Sequence, residues 1–348
     1  MQNNRDRNSN VELMRIFCMF LIVLHHYVVH GLNTAELVDT YSDFTDFISM
    51  WPRVAINYYL LITGYYSINK SWCGNKEAFG KAFRLWRVRW FYSLAISILF
   101  LTLGITNYSV KYGFSAIFPT ITCRHNFITT FIVISALLPF LVKMLNMLNK
   151  KEFTMLLVLL TLIMSVWPTI MRYTSFPNEN VYSYLSWMIY AVIVGGYFGR
   201  YVDHSGKERI IVLGGTLAAL ILVTIKYVLR IDLIHNDLLI QNDFWGLMIG
   251  VGILWSVTGK RIWSNSIVNS IASSMYGVIL IHDDPLVRGY FYTGILHVDK
   301  IGTHSAFPVI VILHVILIFL VCIIIELVRK GIVALIIKIK REVLLEES

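Results

Sequence analysis

Five ionisable side chains stand in one apolar stretch, Asn10 to His30: Glu12, Arg15, His25, His26 and His30. Arg15 and His26 are eleven positions apart. On a helix they return to nearly the same face, roughly 16 Å apart along the axis. Glu12 falls one turn before Arg15 and His30 one turn after His26, with Met19 and Ile22 between the cation and the imidazole. Ionisable groups are costly inside a membrane, and several on one face line a pathway or a site. An imidazole that titrates near neutrality can take a proton from a hydroxyl, and a guanidinium can hold a phosphate. Plainer readings stand beside these: His25 as a packed interior histidine, and Glu12 with Arg15 as a local i, i+3 ion pair.

Three further stretches carry chemistry-bearing residues. Ala272 to Arg288 ends in His282, Asp283 and Asp284, ahead of Pro285. A carboxylate there would orient an imidazole and stabilise its protonated form, the supporting part in acyl transfer; Asp-Asp-Pro is equally a way to end a helix. Lys81 to Trp90 is the most basic segment, with Arg84, Arg87 and Arg89 interleaved with Trp86 and Trp90. It reads either as an interfacial anchor or as a phosphate clamp with indoles for stacking. Asn57 to Tyr66 holds Gly64 and Tyr65, where the glycine admits close approach of a ligand or of a neighbouring helix.

The chain that must position these groups has 348 residues, 57% hydrophobic and only 15% charged, and a mean hydropathy of +0.65. That is too apolar for a water-soluble fold and predicts an all-α, polytopic membrane protein. Hydropathy places about ten transmembrane helices, near 11–30, 46–67, 90–107, 127–145, 153–170, 184–201, 210–228, 240–258, 266–283 and 307–327. With both termini cytoplasmic, 21 of the 30 lysines and arginines fall in inner segments and 7 in outer ones, as the positive-inside rule requires. The net charge of +9 thus follows the topology and does not point to nucleic acid. Arg5 and Arg7 precede a run too long and too charged for a cleaved signal, so that run is read as a helix. The segments between spans are short, and one bundle, a single domain over 1–348, is expected.

Residues 328–348 alternate basic and apolar side chains and read as a cytoplasmic amphipathic tail on membrane lipid. Two acidic outer segments, with Glu36, Asp39, Asp43 and Asp46 and with Asp232, Asp237 and Asp243, are solvated loops or an acceptor site. Cys18, Cys73, Cys123 and Cys322 have no metal-ligand or disulfide-framework spacing, and no metal is expected.

The combination resembles the acyltransferase-3 membrane family, whose members move acetyl or related groups from cytoplasmic acyl-coenzyme A onto carbohydrates of the cell envelope. Arg15 and His26, within Glu-Leu-Met-Arg and Leu-His-His-Tyr, are similar to its first-span motif. Thr63-Gly64-Tyr65 resembles its second-span element, Arg84 to Arg89 its arginine-rich run, and Ile279-Leu280-Ile281-His282 its late histidine element. Thr63 stands where the family usually has Ser and Ile279 where it has an aromatic, and the region around Asn126 and Phe127 lacks a tryptophan before Pro139.

The resemblance implies a multi-pass O-acetyltransferase of a bacterial cytoplasmic membrane. Acetyl-CoA would be its acyl-donor substrate, and a cell-envelope polysaccharide or lipid-linked glycan its acceptor. His26, Arg15 and Asp283 become the expected catalytic residues, and Arg15, Arg84, Arg87, Arg89 and Gly64 the donor-binding ones. His25, Glu12, Tyr65, His282 and Asp284 are expected to support them or the acceptor. Which of His25 and His26 is the base, and which group stabilises the oxyanion, stay open. Succinyl or another acyl group is the alternative cargo. A secondary transporter, expected to show broken helices in matching halves, and a non-catalytic membrane receptor are the rivals from other classes.

Overall fold

The computed structural model describes residues 7–32, 39–72, 74–173, 184–204, 206, 208–228 and 243–346. Every regular element among them is helical, as a chain that must satisfy its backbone away from water requires. Helix lies under all ten expected spans. Among the described residues, five helices are long and apolar enough to cross a membrane: Ser9–Gly31, Asn126–Met147, Lys150–Met171, Glu208–Lys226 and Phe307–Val343. Cys73, Glu36, Asp232 and Asp237, and the side chain of Asp39, lie outside the described residues. The chain splits into two compact units, Met1–Glu36 with Trp263–Ser348, and Leu37–Ile262.

The first unit joins the two ends of the chain. Its helix Ser9–His26 begins at Asn8, whose side chain accepts from the Asn10 N–H. The start is tied to the late segment: Ser9 N donates to Trp263 O at 2.9 Å, Ser9 Oγ to Asn269 at 3.0 Å, and Trp263 Nε1 to Asn10 at 2.8 Å. Just after His26 the helix widens into a π-helical turn, Tyr27–Gly31, a local geometry that recurs at functional sites.

The expected ninth span is not continuous. It breaks at Ser273 and Ser274 into Ser266–Ala272 and Met275–His282, and Lys330 Nζ donates to both serine hydroxyls, at 2.8 and 3.0 Å. The last helix, Phe307–Glu346, runs unbroken for 40 residues, about 60 Å. The expected tail therefore continues the span, with exposed Ile332, Leu335, Ile336 and Ile339 beside Lys338 and Lys340.

In the second unit, helix Asp39–Ser67 lies along helix Tyr184–Tyr201. The approach is close enough that side-chain carbons at Gly64, Gly195 and Gly199 would collide with the carbonyls of Val192, Leu61 and Tyr65. Asn57, fully buried there, accepts from Trp187 Nε1 at 3.2 Å. Helix Asn75–Thr102 starts well before the expected third span and includes the whole basic segment. Past Gly104, whose φ of +66° suits glycine, the chain folds back along this helix. Tyr112 Oη donates to Ser97 O at 3.3 Å, Ser93 Oγ to Ala116 O at 2.9 Å and Arg89 to Pro119 O at 2.7 Å. A stretch expected as an outer loop is thus packed against the helix it follows.

Candidate active site

The stripe expected on the first helix is an interior one. Glu12, Met19 and Ile22 are buried, whereas Leu13 and Phe17, on the other side, are exposed. Arg15 and Glu12 form the i, i+3 ion pair, 2.8 Å long, so the plainer reading of that pair holds. It leaves 27% of the Arg15 side chain accessible. Lys330, Arg329 and buried Glu326 make a further ionic group on the last helix: Arg329 grips Glu326 with two bonds of 2.7 and 2.6 Å, and Lys330 lies within electrostatic reach of Arg15.

The late histidine returns to the early one across 256 residues. His26 Nδ1 and His282 Nε2 are 2.9 Å apart, and the ring centroids 5.1 Å. His282 Nδ1 lies 2.6 Å from the Val278 carbonyl, which can only accept, so that nitrogen carries hydrogen. In neutral His282 the Nε2 is then an acceptor, and His26 must donate to it through Nδ1. His26 Nε2 is left with its lone pair and has no hydrogen-bond partner among the described residues, on a side chain that stays 17% accessible. The backbone of one helix thereby sets which nitrogen of a histidine on another is basic.

Asp283 completes the group. Its Oδ1 stands 3.5 Å from His26 Nδ1, 3.8 Å from His30 Nε2 and 3.2 Å from Arg288 Nη1. Arg288 also donates to His30 Nε2, at 2.9 Å. Asp284 takes the structural role that the Asp-Asp-Pro pattern offered. It caps helix Pro285–Gly289, accepting from Leu286 N at 3.0 Å, with Pro285 in the first turn. His25 lies beside the group, its ring 5.7 Å from that of His26.

His26, His30 and Asp283 offer three ligand atoms within 4.8 Å of one another, a number that would suit a divalent ion. Two of those atoms, however, already receive Arg288, and the third faces His282. An ion would have to displace the guanidinium, and the donor set fits a protonic network better than a metal centre.

Other expected site residues lie in the second unit. Arg84 and Arg87 are exposed on helix Asn75–Thr102, near a stack of Phe83, Trp86 and Trp90, with Arg87 over the Phe83 ring at 5.9 Å. Arg89 parts from them. It is 1% exposed and spends its guanidinium on the carbonyls of Pro119 and His125, because the returning segment covers that face. The expectation that Arg89 binds the donor together with Arg84 and Arg87 is corrected on this point. The basic run also lies beside helix Asn126–Met147, not beyond it: Phe79 meets Phe140 at 6.1 Å, and Lys81 lies 5.1 Å over Phe131. Gly64 is corrected as well, since the space above it is filled by the Val192 carbonyl and not open to a ligand. Half-buried Tyr65 packs edge-on against Tyr66, 5.1 Å between centroids.

The expected site residues omitted His30 and Arg288, which complete the Asp283 network, and the pair Tyr27 and His314, joined at 2.8 Å. They also omitted Glu326. His314 and Glu326 are isolated ionisable residues in the last apolar run, the signal that marked the first helix and that was there to be read. No curated protein and no solved structure matches the chain. The acyltransferase domain model of the acyltransferase-3 family matches residues 8–327, a stretch that takes in both histidine elements and the basic run, and the chain belongs to that family.

Proposed function

We propose that the protein is an integral-membrane O-acyltransferase that moves an acetyl group from cytoplasmic acetyl-CoA to a hydroxyl of a cell-envelope polysaccharide or glycolipid. Its place would be a bacterial cytoplasmic membrane, with ten membrane crossings and both chain ends inside. The acyltransferase-3 match supports the reaction class, and the excess of basic residues in alternate segments supports the orientation.

The observation that carries the reading is the chain from Val278 O through His282 to His26, which leaves His26 Nε2 with its lone pair on a side chain that is 17% accessible. His26 takes the proton of the acceptor hydroxyl as its oxygen attacks the thioester carbon. The Nδ1–H bond to His282 then becomes charge-assisted, and Asp283, 3.5 Å away, stabilises the imidazolium. Collapse re-forms the carbonyl and breaks the C–S bond, and the thiolate leaves with the proton held by His26. His26, which holds this relay, is assigned as the base. Arg15, partly accessible beside Glu12, is assigned to a phosphate of the donor. Arg84 and Arg87 are a second place for an anion, tested separately below.

The experiment is transfer of labelled acetyl from acetyl-CoA to envelope glycan in proteoliposomes, with succinyl-CoA as a parallel donor. The expected result is alkali-labile label on the glycan and one free thiol per ester, with a fall of about 10²- to 10⁴-fold in His26→Ala, the range for a general base. Full activity in His26→Ala would end the assignment, and solute counterflow without thiol release would point to transport.

A further inference from the structure

The attack on a thioester needs a donor for the oxygen that becomes negative, and the hydrogen bonds traced through the histidine group assign none. Three of its donors are engaged: His282 Nδ1 faces Val278 O, His26 Nδ1 faces His282, and Arg288 Nη1 spans His30 and Asp283. Tyr292 is different. It lies in the π-helical turn Tyr290–Ile295, is 1% exposed, and its hydroxyl has no hydrogen-bond partner among the described residues. An unpaired buried hydroxyl is a standing cost to the fold, and such groups are kept where a ligand completes them.

The ring is held by packing, and its hydroxyl is not. A carbon added to Gly31 would lie 3.4 Å from Tyr292 Cγ, so the backbone of the π turn after His26 abuts the base of the ring. Tyr27 meets it edge-on, 5.7 Å between centroids at 84°. Tyr27 directs its own phenol to His314 Nδ1, at 2.8 Å, and makes no hydrogen bond to Tyr292. The phenol is within electrostatic reach of Asp283 and Arg288, which flank His26 and His30, and also of Cys322 and Tyr27. The same π turn that places His30 beside His26, at 5.6 Å between rings, therefore also seats this phenol.

We infer that Tyr292 is a catalytic residue that donates its phenolic hydrogen to the acyl carbonyl oxygen of the donor. The inference rests on the acyl-transfer reading above. As the acceptor oxygen bonds to the carbonyl carbon, the carbonyl π pair moves onto oxygen and the Tyr292 O–H bond to it strengthens. The phenol keeps its proton throughout. When the carbonyl re-forms, the C–S pair departs with sulfur and the contact weakens again. Such a donor acts on the charge that develops in the transition state, where preorganised hydrogen bonds are most effective.

The test is Tyr292→Phe, which keeps the ring that packs on Gly31 and Tyr27 and removes only the hydroxyl. In proteoliposomes kcat is expected to fall about 10²- to 10³-fold, with the KM for acetyl-CoA and the thermal midpoint little changed. A second readout needs no turnover: the infrared carbonyl band of a bound ¹³C-labelled analogue in which methylene replaces the thioester sulfur. That band is expected at lower frequency in the wild-type protein than in Tyr292→Phe. A kcat within about threefold of wild type or an unmoved carbonyl band overturns the role of Tyr292 while leaving the acyl-transfer reading standing. Wild-type protein that neither transfers acyl groups nor binds the analogue overturns both.

Discussion

Replacing His282 by phenylalanine isolates the part played by a histidine that need never touch substrate. The ring is 2% exposed, and phenylalanine fills nearly the same space while removing the acceptor 2.9 Å from His26 Nδ1. Two consequences follow. In the resting protein His26 Nδ1 loses its 2.9 Å acceptor and keeps only Asp283 Oδ1, 3.5 Å away, so the tautomer with a basic Nε2 loses most of its advantage. In the transition state the imidazolium loses a hydrogen bond to a charged donor, worth about 1.5–3 kcal/mol, or roughly 10- to 150-fold in rate. The assay is acetyl transfer in proteoliposomes with kcat and KM resolved, and the loss should fall on kcat. A double-mutant cycle separates this from misfolding: once His26 is alanine, His282→Phe should cost nothing more, because His282 acts only through His26. Unchanged kcat in His282→Phe, or a full further loss on top of His26→Ala, would refute the relay.

Five more outcomes are expected. His25→Ala should keep transfer within about threefold of wild type, against the 10²- to 10⁴-fold loss in His26→Ala; equal losses in the two would remove the distinction. Asp283→Asn keeps the shape but not the charge 3.5 Å from His26, and kcat should drop about tenfold or more, as for a charge-assisted contact; an unaltered kcat counts against it. Arg84→Ala and Arg87→Ala should each raise the KM for acetyl-CoA about tenfold with normal stability if these exposed arginines hold phosphate. Arg89→Ala should instead lower the thermal midpoint, since it strands the buried carbonyls of Pro119 and His125. Gly64→Ala forces a methyl into the Val192 carbonyl and should destabilise by about 1–3 kcal/mol, read as a lower thermal midpoint in detergent; normal stability with a raised KM would return Gly64 to the donor site.

The helical class and the interior stripe of the first helix were legible because both are local. The 3.6-residue period sets Glu12, Arg15, Met19, Ile22 and His26 on one side, and burial follows that side. What could not be read locally is contact across the chain. The pairing of His26 with His282 joins residues 256 apart, and no periodicity reports it. The division of labour between Asp283 and Asp284 depends on where one short helix starts, a matter of a single residue. Gly64 carried a real signal, close approach, but not the identity of what approaches. Arg89 looked like Arg84 and Arg87 because the segment that covers it lies some thirty residues later in the chain. Tyr292 sits among Tyr290, Phe291 and Thr293 with nothing in its neighbours to mark it; only its burial without a partner does.

The central claim is that His26 carries its hydrogen on Nδ1 and offers Nε2 as the base. Nitrogen NMR of the ¹⁵N-histidine-labelled protein in lipid, above the imidazole titration range and with His26 assigned by its absence in His26→Ala, reads this directly. The account predicts a protonated, pyrrole-like Nδ1 and an unprotonated, pyridine-like Nε2 at His26, with that preference lost in His282→Phe. A protonated Nε2 at His26, or a tautomer indifferent to His282, would contradict it.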